Sequence, residues 1–107
     1  MTACSSKRRN FTLLNITDIP SDLRGIYGLW FKKWCIYIGK AKDQGIKNRL
    51  KQHWLGSHNE YLKAWIEAKN RIIEFCYIDS PRHTIDSLEK RMIDILQPVT
   101  NKDGKEQ

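Results

Sequence analysis

Two short apolar runs near the middle of the chain predict a pair of β-strands. The runs Gly25–Phe31 and 34–39 are rich in aromatic and β-branched residues, which favour strands. Only Lys32 and Lys33 separate them, so an antiparallel hairpin is expected. A third strand is predicted over residues 71–78, where apolar residues again dominate.

Apolar residues at helical spacing predict three helices. The first covers residues 45–55, where apolar side chains recur at every fourth position. The second covers residues 57–69 and is expected to begin with a capping box formed by Ser57 and Glu60. The third covers residues 82–96 and should end before the next proline.

The predicted order β-β-α-α-β-α defines an α+β fold. We expect a three-stranded antiparallel sheet with about three helices packed on one of its faces. A chain of 107 residues is consistent with one domain, placed here at residues 24–101. Residues 1–23 should form an irregular N-terminal arm and residues 102–107 a polar tail. The apolar residues that could pack the arm onto the core are Phe11, Leu13, Leu14, Ile16 and Ile19.

The positive charge is concentrated in one segment of the chain. The net charge is +7, and residues 24–69 alone carry ten Lys/Arg against three acids. The flanking segments 1–23 and 70–107 carry +1 and −1. A concentrated positive field suits a polyanion such as nucleic acid, although a basic face that serves only solubility would show the same pattern.

The number of cysteines and the hydropathy of the chain indicate the cellular compartment. There are three cysteines and no CxxC pair, so neither a disulfide framework nor a structural zinc site is expected. No stretch has the length and apolar character of a membrane span, and the N-terminus lacks a signal-peptide pattern. We therefore expect free thiols, an intracellular protein and no membrane partner.

One acidic residue occupies an apolar face of the third predicted helix. Glu89 falls inside the arc formed by its apolar residues, between Ile85, Ile93 and Leu96. A buried carboxylate is costly unless it is paired or binds a metal, which makes Glu89 a site candidate. It could instead reach solvent from the edge of the arc or pair with an arginine. No second carboxylate shares the arc, so any metal would take few protein ligands, as suits Mg²⁺.

Two further pairs of residues carry possible chemistry. Arg49 and His53 are four residues apart and share a helix face, where a guanidinium could grip phosphate and an imidazole could move a proton. An ordinary solvent-facing pair would have the same spacing. Tyr27 and Tyr37 lie on opposite sheet faces if the hairpin has a simple two-residue turn. They lie on the same face if the loop is odd or a bulge intervenes.

Together these residues resemble the GIY-YIG nuclease superfamily. The resemblance covers about residues 24–101, and the stretch YIGKAK…NRL is similar to the nuclease domain of the bacterial nucleotide-excision endonuclease. The residues that carry it are Gly25-Ile26-Tyr27, Tyr37-Ile38-Gly39, Lys40, Arg49, His53, Glu89 and the closing Pro98-Val99-Thr100-Asn101. Thr100 stands where relatives often have an aromatic residue.

The resemblance implies an active site. Glu89 would hold one Mg²⁺ or Mn²⁺ ion, and Arg49 would grip the scissile phosphate. Tyr27 and His53 are both candidates for the general base, and Tyr37 would bind water or phosphate. Both tyrosines should therefore lie on one sheet face.

The resemblance also implies supporting roles for other residues. Lys40 would add positive field and lower the pKa of Tyr27, and Asn101 would order its loop and the water shell of the metal. The residues expected to contact nucleic acid are Lys40, Lys42, Lys47, Lys51 and Asn101.

The function implied is that of a metal-dependent endonuclease acting on DNA. It could be structure-selective or guided by a protein partner, and a role in DNA repair or in a mobile element is open. The alternatives are an RNA-cleaving nuclease and a nucleic-acid-binding module without catalysis. The oligomeric state is also open.

Overall fold

A computed structural model describes residues 7–57, 59–68 and 72–104, and within them the chain forms a four-stranded antiparallel sheet with five helices. The strand order is β1-β4-β2-β3. In chain order the elements are β1 (Arg9–Asn10), α1 (Leu13–Thr17), β2 (Gly25–Phe31), β3 (Trp34–Ala41), α2 (Ile46–Gly56), α3 (Glu60–Glu67), β4 (Glu74–Asp79), α4 (Arg82–Leu96) and α5 (Val99–Gly104).

The predicted α+β class and the order of its six elements are confirmed, but the described residues form three further elements. The arm is not irregular, because β1 pairs with β4 and Thr12 caps α1 by accepting a hydrogen bond from the Asn15 amide. A two-residue strand is too short to show alternation, which is why the sequence pattern does not predict it. Phe11, Ile16 and Ile19 are buried as expected, whereas Leu13 and Leu14 are exposed.

The expected capping box at the start of α3 is wrong. Asn59, not Ser57, caps the helix, and its side-chain oxygen accepts from the amides of Tyr61 and Leu62. Ser57 accepts from the Asn59 amide instead. The helix therefore begins at Glu60, which cannot reach back as the third residue of a box.

Both faces of the sheet are covered, not one as predicted. One apolar cluster contains Tyr27, Leu29 and Phe75 with residues of α1, α2 and α3, and is called the α2 face here. The other contains Ile26 and Ile38 with residues of α4, and is called the α4 face. The run GIYGLWF has no polar position, so both faces of β2 must be shielded from water.

A bulge in the hairpin places the two motif tyrosines on one face. The turn is the two-residue Lys32-Lys33 connection, which alone would put them on opposite faces. The register shifts between Leu29 and Trp30, so that Leu29 pairs with Tyr37 and Tyr27 pairs with Gly39. The same-face arrangement implied by the family resemblance is therefore confirmed, through the bulge.

Helix α5 closes the outer edge of β3, which is an edge strand of the sheet. The Thr100 hydroxyl donates to the Ile36 carbonyl at 2.8 Å. The Asn101 amide group accepts from the Ile38 N–H at 2.6 Å and donates to the Ile38 carbonyl at 2.9 Å. These side chains satisfy backbone groups that a neighbouring strand would otherwise pair.

The expectation of free thiols holds for Cys35, which is buried, and is wrong for Cys76, which is disulfide-bonded. An odd number of cysteines excludes a fully paired framework but still allows one bond. None of the helices in the described residues has the length and apolar character that a bilayer crossing requires.

Candidate active site

Three of the sequence-predicted residues form one buried cluster on the α2 face. Tyr27 is fully buried, and its hydroxyl lies 2.8 Å from His53 Nε2. The His53 ring centroid is 5.6 Å from that of Tyr27 and 5.1 Å from that of Tyr37. Helix α2 thus brings its histidine against both tyrosines of the hairpin.

Gly39 leaves the space that the tyrosine rings occupy. A Cβ at this position would lie 2.4 Å from the Tyr27 hydroxyl oxygen and 2.7 Å from Tyr37 Cε2. Real Cβ atoms essentially never approach so closely, so any side chain here would displace the rings. Gly39, the glycine of the motif Tyr37-Ile38-Gly39, is therefore needed for the two tyrosine rings to take these positions.

Ser57 belongs to the same cluster, although its sequence context predicts only a capping role. Its hydroxyl oxygen lies 3.0 Å from His53 Nδ1, so the two nitrogens of the imidazole face Ser57 and Tyr27. The signal that could have found it is the four-residue spacing to His53.

Burial holds both tyrosines in the neutral form. It raises the pKa of Tyr27 well above its usual value, and the nearby Tyr37 raises it further, while Arg49 lowers it. Burial also raises the pKa of Tyr37, against the lowering effect of Arg49. The cation that lowers the pKa of Tyr27 is Arg49, and not Lys40 as expected.

Arg49 lines a cleft beside the tyrosines. The cleft has a volume of about 190 Å³ and is lined by Lys40, Lys42, Asp43, Gln44 and Arg49. The guanidinium donates to Gln52 at 3.0 Å, which orients one end of it. Its Nε is buried and has no hydrogen-bond partner in the described part of the structure. A buried donor in this state is suited to an anionic ligand.

Glu89 approaches the site from α4, on the other side of the sheet. Its side chain is 22% exposed, and Oε1 lies 3.9 Å from Lys40 Nζ. Burial raises the pKa of Glu89, while Lys40 and Arg49 lower it. Glu89 in turn raises the pKa of Tyr37, so the two groups are close although their elements cover opposite faces. They meet around β3, which is the edge strand.

An ion-pair network links the cleft lysines to α4. Lys40 and Lys42 lie 2.8 Å and 2.6 Å from the two carboxylate oxygens of Asp86. These lysines hold the pKa of Asp86 down at about 2. Arg82 donates to Asp43 at 2.9 Å and to the Lys42 carbonyl at 3.0 Å. The start of α4 is thereby fastened to the cleft.

The remaining predicted contact residues lie outside the cleft. Lys47 and Lys51 are on α2, two residues to either side of Arg49, which directs them to the opposite side of the helix. Both polar atoms of the Asn101 side chain are bonded to Ile38. Their contact with nucleic acid stays a prediction.

The donor set fits one hard divalent cation. No group of three or more His, Cys, Asp or Glu side chains that could hold a metal exists among the described residues. Glu89 is a half-buried carboxylate beside an open cleft, the arrangement in which Mg²⁺ is bound by one carboxylate with water and phosphate. Glu89 is the residue that would hold it.

An α+β fold with two hairpin tyrosines, a helical arginine and a glutamate from the facing helix defines the GIY-YIG class. The chain belongs to the GIY-YIG family, since the model of the GIY-YIG catalytic domain matches residues 24–103. It is similar in fold to the GIY-YIG N-terminal endonuclease domain of UvrC from Thermotoga maritima, solved with its catalytic divalent cation, magnesium. The TM-score is 0.59 at 24% identity, over 83% of this chain and 94% of that one. A search of curated proteins found no significant match.

Proposed function

We propose that this chain is a metal-dependent endonuclease that hydrolyses DNA phosphodiester bonds. The observation that carries the proposal is the Tyr27–His53 hydrogen bond, buried beside a basic cleft that Arg49 lines. A purely structural tyrosine does not need an imidazole partner next to a phosphate-sized cleft. The fold shared with the magnesium-bound T. maritima domain supports the same function.

Arg49 binds the scissile phosphate in this proposal. Its buried Nε lacks a described partner, and one terminal nitrogen is held by Gln52, so the guanidinium is oriented before the ligand arrives. Lys40 and Lys42 line the same cleft and exchange Asp86 for phosphate oxygens when DNA binds. Two charge-assisted contacts of this kind fix the position of the phosphate.

Tyr27 and His53 deprotonate the attacking water together. The raised pKa of Tyr27 excludes a stable phenolate as the base, so the tyrosine must pass on a proton as it accepts one. Its hydroxyl proton moves to His53 Nε2 over the 2.8 Å bond while its oxygen takes a proton from water. The water oxygen bonds to phosphorus, the bond to the 3′ oxygen breaks, and that oxygen takes a proton from solvent.

Ser57 sets the tautomer that this transfer requires. One lone pair of its oxygen accepts the Asn59 N–H, and the other can accept the proton on His53 Nδ1. His53 Nε2 then faces Tyr27 as an acceptor. Tyr37 lies against the same imidazole and holds the water or a phosphate oxygen by its hydroxyl.

Glu89 would hold a single Mg²⁺ or Mn²⁺, and the ion would supply stabilisation of the negative charge that develops on the phosphate and on the leaving oxygen. Lys47 and Lys51 contact the flanking backbone, and Asn101 keeps β3 and the water around the ion in order. We further propose an intracellular location, because DNA is the substrate, and either structure selectivity or a protein partner for targeting.

A panel of labelled substrates tests the proposal. It contains single strand, duplex, flap, splayed arm, four-way junction and RNA, each incubated with Mg²⁺, Mn²⁺ or EDTA. Glu89→Ala is compared with Asp94→Ala, which removes an exposed acid from the same helix. We expect metal-dependent cutting of a DNA member by wild type and Asp94→Ala, and none by Glu89→Ala.

Three results would contradict this function. Cutting by Glu89→Ala at the wild-type rate would remove the metal assignment. Binding without cutting of any member would favour a nucleic-acid-binding module, and cutting of RNA alone would replace DNA as the substrate.

A further inference from the structure

The tip of the β2–β3 hairpin carries an exposed aromatic ring between charges that the proposed mechanism does not use. We propose that this hairpin-tip surface, formed by Lys32, Lys33 and Trp34, binds an unpaired segment of the DNA strand next to the cleavage site. The proposal rests on the proposed function, since the strand it binds is the substrate.

Trp34 is unusually open for its type. It is 57% exposed, while the facing strand residue Phe31 is partly buried and packs its ring 5.7 Å from that of Trp65. Because Trp34 pairs with Phe31, its side chain lies on the α2 face, the face that carries Tyr37. The exposed ring is therefore on the tyrosine side of the sheet.

The two lysines of the turn lie over aromatic rings. Lys33 Nζ is 5.6 Å from the Trp34 ring centroid, and Lys32 Nζ is 5.4 Å from that of Phe31. Both distances are within the range of cation–π attraction, which keeps the charges near the tip. An aromatic platform flanked by cations is the combination that binds single strands through base stacking and phosphate contacts.

The conformation of the tip is held from outside the hairpin. Lys32 has a φ of 55°, which a non-glycine residue adopts uncommonly. Arg8 donates a hydrogen bond to the Lys32 carbonyl, and its guanidinium lies 4.8 Å from the Trp30 ring centroid. Arg8 also pairs with Glu74 at 2.9 Å, which neutralises the acid on the neighbouring strand. A glycine would adopt this positive φ at a lower conformational cost than Lys32 does. The lysine therefore places a positive charge at the tip at the expense of some backbone strain.

The hairpin itself contains no acidic residue. Residues 25–41 contain three lysines and no Asp or Glu. Lys32 and Lys33 stand at the tip, and Lys40 lines the cleft, where it pairs with Asp86 at 2.8 Å. A phosphate backbone that enters the cleft therefore meets no repulsive charge from the hairpin between the tip and Lys40.

The spacing and the ring together define the ligand. Trp34 and Tyr37 pair with Phe31 and Leu29, which are two residues apart on β2, so they are separated by about 7 Å along the sheet. This corresponds to about two nucleotides at the rise of B-DNA. A ring can stack only on a base whose face is open, and bases inside a duplex are already stacked. The surface therefore fits a frayed end, flap or arm that begins a few nucleotides from the cut.

The test measures binding in EDTA, separately from cleavage. The full chain is titrated into a labelled duplex with a single-stranded arm and into the matching blunt duplex. The variants are Trp34→Leu, Trp34→Phe and the double variant Lys32→Gln/Lys33→Gln. The control for the last is Lys63→Gln/Lys90→Gln, which removes two exposed lysines from α3 and α4. Thermal unfolding establishes that each variant is folded.

We expect Trp34→Leu to weaken binding of the arm-bearing DNA about 10-fold and to leave the blunt duplex within about 2-fold of wild type. Trp34→Phe should retain most of the affinity because it keeps a ring. The double lysine variant should lower the slope of log affinity against log salt by about 1.4 on the arm, and the control should not.

The inference would be overturned if Trp34→Leu bound each DNA with the wild-type affinity. It would also be overturned if the variant lost the same factor of affinity for the arm-bearing DNA and for the blunt duplex. The outcome is distinct from that of the cleavage panel. Binding that depends on Trp34, without any cutting, would defeat the proposed activity alone. Cutting without any dependence on Trp34 would defeat the inference alone.

Discussion

Replacing Gly39 with alanine should disable the active site while leaving the fold in place. The new Cβ would lie 2.4 Å from the Tyr27 hydroxyl oxygen, whereas ordinary contacts begin at 3.4 Å. The Tyr27 ring must therefore retreat by about 1 Å, the difference between these distances. Tyr27 is fully buried, so it cannot move without disturbing His53.

A shift of this size acts directly on the proposed proton transfer. The Tyr27–His53 bond is 2.8 Å long, and hydrogen bonds between heavy atoms weaken beyond about 3.2 Å. A misplacement of about 1 Å in a reacting group can lower a rate about 100-fold. We expect a fall of this order in the single-turnover rate of cleavage with Mg²⁺. The free energy of unfolding in urea should fall by about 1–3 kcal/mol, the usual cost of overpacking.

Two other glycines provide matched controls for Gly39→Ala. In Gly28→Ala the Cβ would meet Trp30 and Ile38 at 3.0 and 3.2 Å, on the α4 face, so packing suffers without moving either tyrosine. In Gly56→Ala it would meet nothing within 4 Å. Both should cut within about 3-fold of the wild-type rate, since the reacting groups stay in place. A wild-type rate for Gly39→Ala, or an equal loss in Gly28→Ala, would refute the reasoning.

Three further substitutions test separate parts of the site. Because burial raises the pKa of Glu89, its contribution to stability is present at acid pH and lost as the pH rises through the raised value. The unfolding free energy of wild type relative to Glu89→Gln should therefore fall with rising pH, and no trend would contradict this. Asp86→Asn should release the two cleft lysines and tighten DNA binding at low salt, measured by anisotropy. Asn101→Ala leaves the Ile38 backbone groups unpaired and should cost about 1–3 kcal/mol in urea unfolding.

The main elements can be predicted because each has a long and consistent pattern. The third predicted helix has the observed bounds, Arg82–Leu96, since its apolar arc spans four turns and a proline follows. Helical periodicity alone also identifies the carboxylate inside that arc, Glu89, which lies half-buried beside Lys40. The short strand β1 has no such pattern, because its two residues are set by pairing with β4.

Contacts between distant segments cannot be predicted from local patterns. Thr100 and Asn101 close the edge of β3 from more than sixty residues away, and Asn59 links the start of α3 to the Thr100 carbonyl. The local sequence around Ser57 fits a helix cap, yet its hydroxyl faces His53. In each case a polar side chain has several possible local partners, and tertiary packing selects the one that local patterns do not show.

The electrostatics of the site should make the proposed binding of phosphate and of a cation interdependent. Burial raises the pKa of both Tyr37 and Glu89, while Arg49 lowers both. A phosphate bound by Arg49 would neutralise the positive charge that lowers these two pKa values. It would also place a negative charge near the Glu89 carboxylate, which favours the protonated form of Glu89. A divalent cation on Glu89 offsets this repulsion, so each ligand should strengthen the binding of the other by the same factor. Lys40 does not provide enough positive charge to replace the cation. It pairs with Asp86 at 2.8 Å and lies 3.9 Å from Glu89, so most of its charge is already used by another carboxylate.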